Sequence, residues 1–268
     1  MLRARVVTAL ILLFALLAVL FMLPLAAAAA AFGVVAAVAA WEWAGLMKLD
    51  AAGRVFYAVL MAAFCWQVYV LGPSGYLLFW AAASVFWLGI AAPWLGRRWT
   101  ITANPFVGYG LGVLLIVATW AAMVSLHARS PWMLVAVMAV AWVSDIAAYF
   151  TGRAWGRRKL APSISPGKTW EGVGGALIGV TLYGAAVGAA SGEISSASPL
   201  TLTVGFAALL ALTALGIVGD LFESLLKRQA GIKDSSGILP GHGGVLDRID
   251  SLMAILPPAA LLLHWGGR

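Results

Sequence analysis

Apolar residues fill this chain in long blocks broken by short polar joints, rather than alternating or recurring in narrow stripes. About 20 apolar residues in helical form cross the roughly 30 Å of bilayer hydrocarbon. Nine blocks approach or reach that length: about 6–23, 26–46, 55–71, 75–95, 105–126, 131–151, 171–190, 200–222 and 245–264. Hydrocarbon offers no partner for an open backbone N–H or C=O, so such blocks close their hydrogen bonds as helices. The predicted fold class is all-α: a polytopic integral membrane protein with about nine transmembrane helices. Only Pro24 parts the first two blocks. Residues 1–23 also fit a signal peptide, but the alanines that follow run on as a further span.

The polar joints orient the spans. With the N-terminus inside, Arg129 and Arg268 are the outward members of the 17 Lys and Arg, and every other one faces inward. Inner loops carry the excess of Lys and Arg in membrane proteins, so the pattern predicts N-in, C-out. Trp41, Trp43, Trp94, Trp99, Trp132, Trp155, Trp170 and Trp265 fall near predicted span ends, where interfacial anchors belong. No internal repeat divides the chain into inverted halves. The natural division is by polarity: residues 1–130 as five N-terminal spans, and 131–268 as a catalytic region of four spans plus cytoplasmic loops.

Composition agrees. At 63% hydrophobic and 10% charged, a soluble domain of 268 residues has nowhere to bury its apolar surface. The net charge of +7 comes from residues flanking apolar blocks, which points to an anionic membrane surface and not to nucleic acid. Cys65, the single cysteine, sits mid-span and rules out a disulfide framework.

The chemistry gathers near the C-terminus. Of the ten acidic residues, Glu42 and Asp50 lie near the second joint and Glu193 in an outer loop. The others, Asp145, Glu171, Asp220, Glu223, Asp234, Asp247 and Asp250, all fall at the predicted inner edge. Asp220 and Glu223 share a helix face at i and i+3, as do Asp247 and Asp250. Paired hard oxygen donors suit Mg²⁺, which takes one or two carboxylates and leaves positions for water and phosphate. The alternative is simple pairing of Asp220 and Glu223 with Lys227 and Arg228. Asp145, inside an apolar block, is a functional candidate by its cost alone; its alternative is satisfaction by the hydroxyls of Ser144 or Tyr149.

Gly241, His242, Gly243 and Gly244 precede the ninth span, so close backbone approach and a helix N-terminus can receive an anion. His242 reads as a hydrogen-bonding scaffold. The loop from Gly152 to Glu171 holds Arg153, Arg157, Arg158, Lys159 and Lys168, most of them suited to headgroups and topology. Its end, Ser165-Pro166-Gly167-Lys168-Thr169, is similar to the close of a Walker A loop but has Pro162 where that loop needs glycine, so it is no P-loop. Lys168 remains a point charge for polyphosphate.

Ser224, Leu226, Lys227 and Arg228, followed by Lys233-Asp234, Ser236, Leu239-Pro240, His242-Gly243-Gly244-Val245 and Asp247-Arg248-Ile249-Asp250, resemble the signature of the bacterial phosphatidate cytidylyltransferases. Leu160-Ala161-Pro162, Ile164 to Gly172, Gly219-Asp220 and Asp145 with Ala148-Tyr149 are similar as well; Ile146 stands where that family often has Ser or Thr. The resemblance covers residues 142–250. It implies transfer of CMP from CTP to phosphatidic acid, giving CDP-diacylglycerol and pyrophosphate at the inner face of a bacterial cytoplasmic membrane. It further implies Mg²⁺ on Asp220 and Asp247, with room for a second cation such as K⁺, and a homodimer. Asp220, Asp247, Lys227 and Asp145 are then the expected catalytic groups, with Glu223 and Asp250 as further expected metal ligands or their neighbours. Lys168, Thr169, Ser224, Arg228, Lys233, Asp234, His242, Gly243, Gly244 and Arg248 form the expected substrate-binding set.

Three other functions compete. A CTP-dependent polyprenol or phytol kinase would share the nucleotide but use an alcohol acceptor. A CDP-alcohol phosphotransferase needs an Asp-Gly pair and wider aspartate spacing than Asp247 and Asp250 provide. A transporter would place its ionisable groups near mid-membrane.

Overall fold

The computed structural model describes residues 2–266, with side chains described from residue 6. Arg268 and the side chains of Arg3 and Arg5, which entered the charge pattern above, lie outside the described residues. The chain runs α1 (Leu2–Met22), α2 (Leu25–Leu46), α3 (Ala51–Leu71) and α4 (Pro73–Val85), which passes through a π turn (Phe86–Ile90) into α5 (Ala91–Arg97). There follow α6 (Pro105–Arg129), α7 (Pro131–Trp155), an antiparallel hairpin of β1 (Lys159–Ala161) and β2 (Ser165–Thr169), and α8 (Trp170–Ala190). The one-turn α9 (Glu193–Ser196), then α10 (Pro199–Ala230) and α11 (Leu246–Gly266), complete it.

A helix coincides with each of the nine predicted blocks. Seven, from Leu25–Leu46 to Pro199–Ala230, are long and apolar enough to cross a membrane. The others are α1, with its apolar stretch Val6–Met22, and α11, which starts among charges and carries Pro257 and Pro258. Local chemistry sets the boundaries. Proline opens α4, α6, α7 and α10, where its missing N–H costs nothing. Asp50, Asn104, Thr169 and Ser198 cap α3, α6, α8 and α10 through their side-chain oxygens.

The bundle is built around α6, whose span is 72% buried while the other six range from 17% to 39%. Two expected anchors prove to be core residues. Trp43 is fully buried and donates Nε1 to the Gly108 carbonyl at 3.0 Å; Trp94 is buried and donates to the Trp99 carbonyl at 2.7 Å. Each indole N–H finds a carbonyl inside the protein, so neither needs the wet interface. Trp99, Trp132, Trp155, Trp170 and Trp265 are exposed.

Two packing features place the site. On α10, a Cβ at Gly219 would come within 2.8 Å of both the Asp250 carbonyl and the Ala254 Cβ, and one at Gly216 within 2.8 Å of Ile255. The missing side chains let α10 and α11 approach closely, which sets Asp220 and Glu223 beside Asp247 and Asp250. Below them, the π turn presents both Phe86 and Trp87 to Phe222, with edge-on ring centroids 5.4 and 5.6 Å apart. Trp94 adds a third ring at 5.7 Å.

Candidate active site

Carboxylates from α7, α10 and α11 meet in one electrostatic cluster. Asp250 interacts with Asp220 and Asp145, and Glu223 interacts with both Asp250 and Asp247. Their counter-charges are lysines. Lys227 Nζ lies 2.5 Å from Asp247 Oδ1 and 2.6 Å from Glu223 Oε2. Lys227 is the charged partner of fully buried Glu223 among the described residues. Lys168, at the end of β2, reaches across to Asp220 Oδ2 at 2.5 Å. Lys168 and Arg248 also face Asp145. Five carboxyl groups and three cations thus share one small volume.

The sequence pairing of Asp220 and Glu223 with Lys227 and Arg228 is therefore half present. Lys227 joins Glu223 to Asp247, but Arg228 turns away and donates to the Ile164 and Ile232 carbonyls, tying the hairpin to the loop after α10. Among the described residues neither Ser144 nor Tyr149 hydrogen-bonds Asp145; the Tyr149 hydroxyl accepts from Arg153 at 2.7 Å. Ser224 donates to Asp220 Oδ1 at 3.3 Å.

The loop at 231–245 is folded tightly onto α11. Gly241 and Gly243 adopt φ of 77° and 78°, left-handed values that glycine reaches freely. The turn closes through the Leu239 N–H on the Gly243 carbonyl and the His242 N–H on the Leu239 carbonyl, each under 3 Å. Asp247 Oδ2 accepts three hydrogen bonds, from the Ser235 amide, the Ser235 hydroxyl and the Gly244 amide, at 2.7–2.9 Å. Lys233, Asp234 and Arg248 are exposed, while His242 keeps Nδ1 buried without a partner. Thr169 is buried and its hydroxyl accepts from the Gly172 amide at 3.1 Å, so it positions the start of α8.

Among the described residues, no three His, Cys, Asp or Glu side chains converge as a metal cage. The donor set still fits Mg²⁺, which needs only one or two protein carboxylates when phosphates supply the rest. Asp220 is partly exposed and lines the cleft, with Oδ2 against Lys168 and Oδ1 accepting from Ser224; Asp247 offers only Oδ1, now held by Lys227.

Two cavities flank the cluster. One, of about 580 Å³, sets the charged side chains of Asp145, Arg153, Lys168 and Asp220 among apolar walls that include Leu160, Val173 and Ile217. The other, of about 540 Å³, is a largely apolar groove between α1, α2, α7 and α11, with Leu12, Leu16, Phe32, Met138 and Trp142 in its walls. Asp247, Arg248 and Asp250 stand at its charged end, and Asp145 lines both cavities.

Reasoning from sequence missed Glu42. It is fully buried and accepts from the Ser235 and Ser236 hydroxyls and from the Val245 and Leu246 amides, all within 3.1 Å. The available signal was a carboxylate inside an apolar block, between Trp41 and Trp43, where an unpaired charge would be expensive.

Several membrane-length helices and a lysine–carboxylate cluster between a charged cleft and an apolar groove define a class: polytopic membrane proteins with a charged site beside an apolar groove. More specifically, the chain belongs to the cytidylyltransferase family, whose model matches residues 3–265. It is 42% identical over 278 residues to the phosphatidate cytidylyltransferase of Pseudomonas aeruginosa, covering 100% of this chain and 98% of that protein. The Haemophilus influenzae phosphatidate cytidylyltransferase is 34% identical over 283 residues, 96% of each chain. The one from Thermotoga maritima is 42% identical over 123 residues, 45% of each. Membership makes the chain a nucleotidyltransferase, as the motif resemblance implied.

Proposed function

We propose that this protein transfers CMP from CTP to phosphatidic acid, yielding CDP-diacylglycerol and pyrophosphate. The observation that carries the reading is the pair of cavities joined at Asp145. A reaction between a water-borne polyanion and a membrane lipid needs a charged chamber and an apolar one that share a wall. In this reading CTP occupies the cleft under Lys168 and Arg153, and the acyl chains lie in the groove beside α1 with the lipid phosphate near Arg248.

The transfer is an in-line displacement. A phosphate oxygen of the lipid attacks the α-phosphorus of CTP, the bond to the bridging oxygen breaks, and pyrophosphate leaves with that electron pair. The lipid phosphate is already anionic near neutral pH, so no general base is required. Such reactions depend on positioning and on charge neutralisation. Lys168 and Lys227 sit against the carboxylates in the present arrangement and would turn to incoming phosphates. Lys233 and Arg248 supply exposed positive charge from the loop and from α11. Mg²⁺ would be held by Asp220 and Asp247, with Glu223 and Asp250 close by, and would neutralise charge on the phosphates; a second cation such as K⁺ would add to that neutralisation. The site then faces the cytoplasm of a bacterial inner-membrane protein, N-in and C-out, which works as a homodimer.

Purified protein incubated with cytidine-labelled CTP, phosphatidic acid and Mg²⁺ is expected to give a cytidine-bearing lipid and pyrophosphate. Formation of a lipid phosphate from an added polyprenol or phytol, with no cytidine in the lipid, would replace this reading with the kinase.

A further inference from the structure

We propose that Glu42 is a positioning residue for nucleotidyl transfer, acting from α2 to clamp the 231–245 loop and the start of α11. The inference rests on the cytidylyltransferase reading and concerns a residue outside the motif-bearing part of the chain.

Glu42 has no exposed surface. A carboxylate withdrawn from water beside a bilayer survives only when its lone pairs are filled, and here four donors fill them. Oε1 accepts from the Ser236 hydroxyl at 2.5 Å and the Val245 amide at 3.0 Å. Oε2 accepts from the Leu246 amide at 2.6 Å and the Ser235 hydroxyl at 3.1 Å. The two amides belong to the opening of α11, where helix N–H groups have no helical partner. One side chain therefore caps α11 and fixes both serines of the preceding loop.

The link to chemistry passes through Ser235. Its hydroxyl also lies 2.9 Å from Asp247 Oδ2, and its amide donates to that same oxygen. Glu42 and Asp247 thus converge on one residue and share its hydroxyl, and Asp247 holds Lys227. The space is matched as well: a Cβ at Gly244 would collide with the Ser235 hydroxyl and Glu42 Oε1. Without the Glu42 grip, the loop carrying Lys233 and the orientation of Asp247 would both loosen, and displacement of about 1 Å in such a site is costly to rate. The purpose of the buried charge is register between α2 and the loop, not contact with substrate.

The test uses the full-length protein purified in detergent, as wild type, Glu42→Gln and Ser236→Ala, with initial rates in CTP and lipid and a time course of trypsin cleavage after exposed Lys233. Glutamine keeps the shape but supplies a single acceptor oxygen. Glu42→Gln is expected to lower kcat by about 10- to 100-fold, with KM for CTP changing far less, as for other residues that orient a reacting group. Cleavage at Lys233 should speed up in both variants, more strongly in Glu42→Gln. Should Glu42→Gln fail to fold, Ser236→Ala, which removes one of the four bonds, carries the same readouts at smaller size. A kcat within twofold of wild type in folded Glu42→Gln, or Lys233 cleavage unchanged in the folded variants, overturns the proposal. Absence of cytidine-bearing lipid from the wild type would instead sink the functional reading, and the cleavage arm would still decide the clamp.

Discussion

Two polar segments approach the reaction zone, and they are built in opposite ways. The 231–245 loop is pinned by two carboxylates, Glu42 and Asp247, which between them meet six donor groups of the loop and of α11, the single Ser235 hydroxyl proton being shared between them. The hairpin from β1 to β2 is anchored instead by apolar packing, with Ile164 of its turn buried and Leu160 and Ala161 against the core. Its basic side chains Arg157, Arg158 and Lys159 are exposed, and Glu171 holds its base by accepting the Arg157 and Arg158 amides at 3.1–3.3 Å. Its contact with the carboxylate cluster is the partly exposed pair of Lys168 and Asp220. The loop is preorganised, while the hairpin can exchange its one ionic contact for a substrate phosphate. This division suits an enzyme that must hold an acidic centre rigid and still admit a bulky nucleotide.

The comparison can be broken or sharpened by substitution. The largest effect is expected for Asp220→Asn, which removes the carboxylate shared by hairpin and cluster. Mg²⁺-dependent turnover should fall by about 10²- to 10³-fold with the protein still folded and membrane-inserted, as read by initial rates on purified protein. Next comes Lys227→Met, which strands buried Glu223 and half-buried Asp247 without their cation. Breaking a buried pair from one side costs about 3–5 kcal/mol, so the thermal midpoint should drop sharply. Adding Glu223→Gln should recover part of the loss. Ala15→Trp, in the exposed α1 wall of the groove, should raise KM for the lipid about tenfold and leave KM for CTP alone; equal shifts in both would unseat the assignment of the two cavities. The smallest change belongs to Thr169→Ala on the hairpin side. Loss of its cap on Gly172 should cost about 1 kcal/mol, measured by thermal unfolding.

The helices were legible because hydrocarbon-length blocks leave the backbone a single option, and helix is found on each of the nine blocks. The carboxylate cluster was legible for a related reason. In a chain that is 10% charged, Asp145, Asp220, Glu223, Asp247 and Asp250 stand out by their cost. The hairpin was not foreseen, since Lys159–Ala161 and Ser165–Thr169 lack the apolar alternation that marks a strand. Trp43 and Trp94 were misplaced at the interface because an indole near a span end looks the same whether its N–H meets water or a carbonyl. Glu42 escaped for want of a local partner, as the amides it caps lie 203 and 204 residues further on. Spacing along one helix can reveal which side chains share a face; it carries no information about a contact closed across the whole chain.

The length of α10 has a further consequence. Its 32 residues extend about 48 Å, against roughly 30 Å for the oily layer of a bilayer. With its apolar first two-thirds in the hydrocarbon, the surplus turns would carry Asp220, Glu223, Lys227 and Arg228 out to the level of the lipid phosphates. A lipid can then reach the reacting atoms by lateral drift, keeping its tails immersed. Lifting it bodily into water would cost about 0.8 kcal/mol for each exposed methylene, a toll that the overhanging helix lets the reaction avoid.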